Sequence, residues 1–334
     1  MNRLDEMFEG LRGARPEVLP SKYWEELNKT NLEQLATQGY GTFKRTLALN
    51  YFTFLVSRKD VQLEYLRENL PVPVLGRCAL ASLLRGRHPG LTWKQSVLYT
   101  YLTLLLWEFA RRKLPAGTMD GLVEPDEGGP FQINRGGRCV SQDLANSALE
   151  VYAMRNNDLR YHSPKVVLEL GAGYGRTAFA YQHLTLSPGR YIISDIPPAL
   201  YVAERYLSSQ FRGKQIFPYR QFSRYDQVRD EFESADLAFL LPNQLALLPD
   251  KSIDLFINIS SFHEMRMEQI AFYFGEVDRL TRGFLYFKEW KLSTIPFENV
   301  QIRETEYPVR SSWERVYHRD CQVQTHFFEA LYSI

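Results

Sequence analysis

The chain has 334 residues, 45% of them apolar and 14% aromatic, which is enough to bury a large core and too apolar for a disordered chain. Lys and Arg number 40 against 39 Asp and Glu, without a basic run, so a nucleic-acid or membrane-surface partner is not expected and a small polar molecule is. Cys78, Cys139 and Cys321 are isolated and odd in number, which argues against a disulfide framework or a zinc site and for a reducing cytoplasm.

The amino end carries charges of both signs around no apolar stretch, so it does not read as a signal peptide. The first third is helical in pattern. Tyr23-Trp24-x-x-Leu27 and Leu32-x-x-Leu35 repeat at three- and four-residue spacing, as do Phe43 to Phe54 and Val61 to Leu70, and Pro71-Val-Pro73 should stop the run. A longer helix is predicted from about Thr92 to Lys113. Its uncharged stretch from Ser96 to Trp107 is shorter than the roughly 20 residues a bilayer requires, so it reads as buried.

Residues 120–140 form a Gly/Pro-rich connector that serves equally as a linker or as a ligand-facing loop. Ser141 then caps a helix running to Met154. From Lys165 strands and helices alternate. Strands are predicted at Val166–Leu170, Tyr191–Ser194, Leu237–Leu241, Ile253–Ile259 and Gly283–Phe287, with helices at Arg176–Leu184, Pro198–Phe211 and Phe262–Arg279. Two closing strands are expected within Glu314–Tyr317 and Val323–Tyr332. This pattern implies an α/β fold with a mostly parallel, Rossmann-like sheet of seven strands behind a helical N-terminal part. The expected division is a cap over 1–119, the connector over 120–140, and a ligand-binding domain over 141–334.

The first strand runs into Glu169-Leu-Gly171-Ala-Gly173-Tyr-Gly175-Arg176. A dinucleotide fingerprint would place Gly or Ala where Arg176 stands, and no P-loop Lys-Ser/Thr follows. Glu169 at the strand tip would repel a pyrophosphate but suits an ammonium, and Asp195 at the second strand tip is placed for a ribose diol. Glycines permit close backbone approach, and the helix start near Arg176 favours a carboxylate. Together these features fit S-adenosyl-L-methionine. Asn243 and Gln244, beyond the third strand, offer paired donors and acceptors for an adenine edge, although an ordinary polar turn explains them as well.

Ser260-Ser-Phe-His263-Glu264 follows the fourth strand, on the ligand side of the sheet. His263 is the candidate base for a hydroxyl acceptor, or else a residue supporting the site from behind. Glu264 is the second catalytic candidate, and Ser261-x-x-Glu264 also matches a capping box that would make it a helix cap. Lys288 and Trp290 follow the fifth strand, where they would orient or wall a substrate or simply pack.

The chain resembles the sugar O-methyltransferase family, a branch of the class I S-adenosylmethionine-dependent methyltransferases. The resemblance runs from about Tyr23 to the C-terminus. It rests on Gly41-Thr-Phe43-Lys-Arg-Thr46, Ser141-Gln-Asp143-Leu-Ala-Asn146-Ser147, Leu168 to Arg176, Asp195-Ile-Pro-Pro-Ala-Leu-Tyr201, Asn258 to Met265, Phe287-Lys-Glu-Trp-Lys291 and Phe327 to Tyr332. Glu289 departs from it, since Gln is expected there. The resemblance implies a cofactor set of Glu169, Gly171, Ala172, Gly173, Tyr174, Arg176, Asp195, Ile196, Asn243, Gln244 and Asn258. It also implies substrate contacts from Ser147, Lys288 and Trp290, and a helical part that covers the cofactor and completes the acceptor pocket. No metal is called for, the partner is a small molecule, and self-association stays open. The alternatives are an N-, C- or carboxyl-methyltransferase for a non-sugar natural product, a scaffold that has lost catalysis, and a nicotinamide-dependent oxidoreductase.

Overall fold

The computed structural model describes residues 2–45, 59–156, 164–295 and 300–334. Of the helix predicted from Phe43 to Phe54, residues 43–45 are helical and 46–54 lie outside the described residues.

The helical part opens with α1 (Arg3–Leu11), α2 (Lys22–Gln38) and α3 (Lys59–Asn69). α3 ends at Asn69, so the run stops ahead of Pro71 as the sequence suggests, but Pro71 has a second role. With φ at −62° and no N–H to satisfy, it begins a new helix, α4 (Val72–Leu83), and Pro73 sits in the first turn where its missing donor costs nothing. In α5 (Trp93–Lys113) the Thr92 hydroxyl and the Gln95 side chain cap one another, and almost every residue from Ser96 to Ala110 is buried.

The connector contains structure that its composition hides. Strands β1 (Ile133–Arg135) and β2 (Arg138–Val140) pair as a hairpin turned by Gly136 and Gly137, both at positive φ. Buried Glu124 accepts from Lys44 Nζ and from Ser141 Oγ, each at 2.5 Å. It thereby ties the helical part to the cap of α6 (Gln142–Met154), where Ser141 Oγ receives Leu144 N as predicted.

The main sheet holds β3 (Val166–Leu170), β4 (Arg190–Ser194), β5 (Ile216–Phe217), β6 (Leu237–Leu240), β7 (Ile253–Ile259), β8 (Thr281–Trp290), β11 (Glu314–Asp320) and β12 (Phe327–Ser333). The strand order is β11-β12-β8-β7-β3-β4-β6-β5, parallel from β8 to β5, with β12 and β11 antiparallel. It is the expected mostly parallel Rossmann-like sheet, with eight strands rather than seven. The addition, β5, is a two-residue edge strand too short to show a pattern. A separate hairpin, β9 (Leu292–Ile295) with β10 (Val300–Arg303), was also not visible in the sequence.

Helices α7 (Arg176–Leu184), α8 (Ala199–Gln210), α9 (Arg229–Ser234) and α10 (Met267–Leu280) complete the layers. One core joins α5, through Leu105 and Trp107, to Val167, Tyr191 and Leu255 on one sheet face. The other packs Phe256, Phe274 and Phe287 beneath Trp313, whose ring stacks 5.9 Å from that of Phe274. Among the described residues no helix is long and apolar enough to cross a membrane.

Candidate active site

Strand order reverses around β3, which lies between β4 and β7, and the crevice outside the carboxyl ends of such strands is where open α/β sheets bind ligands. A cavity of about 780 Å³ opens there. Its floor is the glycine turn. Gly171 has φ at +74°, and a Cβ on it would lie 2.2 Å from Ser261 Oγ, so only glycine lets this turn lie against the segment after β7.

The glycine N–H groups of the turn are already engaged. Gly171 N donates to Ser194 O at 2.8 Å, Gly173 N to Asp195 Oδ2 at 2.7 Å, and Gly175 N to Ala172 O at 3.0 Å. Asp195 Oδ1 also accepts from Ile196 N at 2.7 Å, which leaves lone pairs of both oxygens for a ligand. Burial pushes the Asp195 carboxyl up to about 7 against the pull of these two N–H groups. Glu169 accepts from the Tyr191 hydroxyl at 2.9 Å; burial lifts it to about 7, while Tyr191 and the Arg176 guanidinium act in the opposite direction.

After β7 the chain turns sharply at Ser260, a non-glycine residue at φ +57°, and His263 sits on a single 3₁₀ turn, Phe262–Glu264. His263 Nδ1 lies 2.5 Å from Glu289 Oε2, which also accepts the His263 backbone N at 3.1 Å. The other oxygen of Glu289 accepts the N–H groups of Ser261 and Phe262 at 3.4 and 3.3 Å. One wholly buried carboxylate therefore organises the turn and fixes the imidazole, leaving Nε2 3.8 Å from Glu264 Oε1. This explains why the capping box read at Ser261 and Glu264 does not form. Glu289 takes the N–H groups a cap would have served, Met265 is extended, and α10 starts later with Arg266 as its cap residue. The Glu264 carboxylate instead accepts from the Trp24 side chain, and burial raises it to about 7, with His263 lowering it and Glu289 raising it further.

Of the residues singled out in the sequence, Glu169, Gly171, Ala172, Gly173, Tyr174, Arg176, Asp195, Ile196, His263, Glu264, Lys288 and Trp290 line the cavity. Four others are turned to the chain itself. Ser147 is fully buried and accepts from Arg176 Nη1 at 2.7 Å. Asn258 bridges Leu170 O and Phe262 N. Asn243 donates to Gly10 O, and Gln244 spends its amide on Leu241 N and Arg220 O, so neither meets the cavity and Pro242 lines it in their place. Lys288 is not free to orient a substrate, because its ammonium contacts Glu150 Oε1 at 2.7 Å and Gln324 Oε1 at 2.5 Å. Arg176 grips the same Glu150 with both Nη atoms. Burial alone would raise the Glu150 carboxyl, but the two cations outweigh it and hold it below the usual range.

Sequence reasoning named no residue before Ser147, yet much of the wall comes from there. Pro20, Tyr23, Trp24 and Asn31 line the cavity, as do Gln95 and Tyr99 of α5. This arm is held over the crevice by Asn28 Nδ2 to Pro197 O at 3.1 Å, Ser21 Oγ to Glu264 O at 3.0 Å and Gln269 Nε2 to Leu19 O at 2.8 Å. No local sequence signal says where an amphipathic helix will dock, so these contacts were not legible.

No family model and no curated protein matches the sequence. Among solved structures, the chain is similar to the PH0226 protein from Pyrococcus horikoshii OT3, at 14% identity over 58% of this chain and 92% of that one, with a TM-score of 0.41. It is similar to an S-adenosylmethionine-dependent methyltransferase from Aquifex aeolicus at 14% identity over 56% and 93%, with a TM-score of 0.33. It is also similar to 1,6-didemethyltoxoflavin-N1-methyltransferase from Burkholderia thailandensis at 13% identity over 57% and 78%, with a TM-score of 0.39. At such identities and TM-scores, what bears on the chemistry is the geometry of the cavity itself.

Proposed function

We propose that the chain is an S-adenosylmethionine-dependent methyltransferase acting on a hydroxyl of a sugar or sugar-bearing metabolite. The observation that carries the cofactor is the glycine turn with its three glycine N–H groups spent and two carboxylates, Glu169 and Asp195, facing the cavity. A pyrophosphate would find repulsion and no free glycine amide there, which disfavours a nicotinamide dinucleotide. A nucleoside with a ribose diol and net positive charge finds acceptors for both. Residues 1–119 act as the cap, 120–140 join it, and 141–334 carry the cofactor.

When bound, S-adenosylmethionine supplies an electrophilic methyl group on its sulfonium. Asp195 accepts the ribose hydroxyls, and Glu169 supplies negative charge toward the ammonium. His263 Nε2 takes the proton of the acceptor hydroxyl as its oxygen gains the methyl, and Glu289 holds the ring and balances the charge it acquires. The arm bearing Trp24 excludes water from this space. Aromatic faces from Trp24, Tyr99, Trp290 and Phe327 beside amide side chains from Asn31, Gln95, Asn146 and Gln324 suit a compact polyol. Calorimetry with S-adenosylhomocysteine tests the cofactor: binding with a Kd in the micromolar range is expected, and its absence would remove the reading. Loss of methyl transfer in His263→Ala tests the acceptor, because a carboxylate acceptor needs no base.

A further inference from the structure

The cavity has a charge imbalance that the cofactor does not use up. Among the described residues five carboxylates line it, Asp143, Glu150, Glu169, Asp195 and Glu264, against two permanent cations, Arg176 and Lys288. Both cations are committed to Glu150, with further hydrogen bonds to Ser147 and Gln324. A phosphate or carboxylate on the acceptor would therefore meet several acids and, among the described residues, no available cation, at a cost that a desolvated site makes severe.

Asp143 is the acid left without a task. It lies in the first turn of α6, and its Oδ2 accepts from the Tyr174 hydroxyl at 2.7 Å. Among the described residues no donor reaches Oδ1, and the residue lines the cavity together with Asn146 and Tyr99, close enough to Tyr99 to act on its hydroxyl. A carboxylate with one oxygen held and the other open, close to a tyrosine in the same cavity, is a receptor for an ammonium group. Burial pushes the Asp143 carboxyl up, while the Arg176 guanidinium and the Tyr174 hydroxyl act in the opposite direction, and a cationic ligand would favour its charged form further.

We propose that the acceptor is an amine-bearing sugar, protonated at nitrogen and free of phosphate and carboxylate, whose ammonium group is held by Asp143. The proposal rests on the methyltransferase reading, in which Glu169 and Asp195 serve the cofactor and Asp143 does not.

The test titrates protein loaded with S-adenosylhomocysteine with methyl hexosides amino-substituted at C2, C3, C4 or C6, and with their parent, N-acetylated and uronic acid counterparts. At least one amino hexoside should bind about tenfold or more tighter than its parent and its N-acetyl form, with no detectable binding of the uronate. Asp143→Asn should abolish that preference while the Kd for S-adenosylhomocysteine stays within about twofold. Three outcomes overturn the proposal: equal or tighter binding of neutral or acidic members, no hexoside binding to the loaded wild-type protein, or an Asp143→Asn variant that keeps the preference and weakens S-adenosylhomocysteine instead. The wild-type series decides the matter even if the variant fails to fold. Failure of S-adenosylhomocysteine to bind the wild-type chain is a separate result, because it removes the methyltransferase reading and the proposal falls with it.

Discussion

His263 and Glu289 meet at 2.5 Å between Nδ1 and Oε2, and the same carboxylate accepts three consecutive backbone N–H groups from Ser261 to His263. The pair fixes the tautomer as well as the ring position: Nδ1 carries the proton given to Glu289, so Nε2 is the basic nitrogen left for the cavity.

Glu289→Gln preserves the shape but removes the negative charge opposite a forming imidazolium and turns one of the two accepting oxygens into a donor. Methyl transfer should fall about ten- to a hundredfold in kcat, with the Kd for S-adenosylhomocysteine unchanged. His263→Ala should fall further, by about 10²- to 10⁴-fold, the usual worth of a general base. A Glu289→Gln enzyme with full kcat would reduce the carboxylate to a backbone clamp.

The glycine turn gives a second, sharper prediction. Gly171→Ala must place a Cβ 2.2 Å from Ser261 Oγ while holding φ near +74°, a region that L-residues enter at a cost of about 1–2 kcal/mol. The variant should lose at least about tenfold in affinity for S-adenosylhomocysteine and several degrees in Tm, because Ser261 belongs to the turn that Glu289 organises. Retained affinity in a thermal-shift titration would show that the turn does not touch the ligand.

How much of this was legible follows from where each signal lies. The strands at Val166, Tyr191, Leu237 and Ile253 are nearly continuous apolar runs, because both sheet faces are covered, and such runs are visible without any partner. Glu169 and Asp195 were legible for the same reason, as acids interrupting apolar strand ends. Glu289 was noticed only as a departure, since its meaning lies in a contact with His263, 26 residues away in sequence. Helix α4 was lost because Pro71 signals an end and a beginning equally well. Asn243 and Gln244 were read by donor and acceptor content, which cannot distinguish a ligand from Gly10 O or Arg220 O.

Glu264 offers a test by stability alone. Its carboxyl is raised to about 7 by burial, so the native state binds a proton there that the unfolded chain releases near 4.5. The stability that follows from a raised carboxyl is present below the unfolded value and is lost as pH rises through the folded one. Glu264→Gln, which keeps an oxygen for Trp24, should therefore match the wild-type Tm at about pH 4 and exceed it by a few degrees at about pH 8. Equal melting temperatures at both pH values would show that the wild-type carboxylate is not held in the environment described.

Asp195 and Glu169 lead to a prediction about protons on binding. In the ligand-free cavity both carboxyls are raised to about 7, chiefly by burial, so each is partly protonated at neutral pH. Ribose hydroxyls donating to Asp195 and an ammonium facing Glu169 favour the charged forms, so binding must expel protons. Affinity for S-adenosylhomocysteine should then rise between about pH 6 and 8 and level off above, since the complex holds fewer protons than the free protein. Calorimetry at pH 7 in phosphate and in Tris, whose ionisation enthalpies differ widely, should report net release of up to about one proton. Asp195→Asn should weaken binding by on the order of tenfold and remove part of that release, whereas proton uptake on binding would mean that neither carboxyl is the ligand's partner.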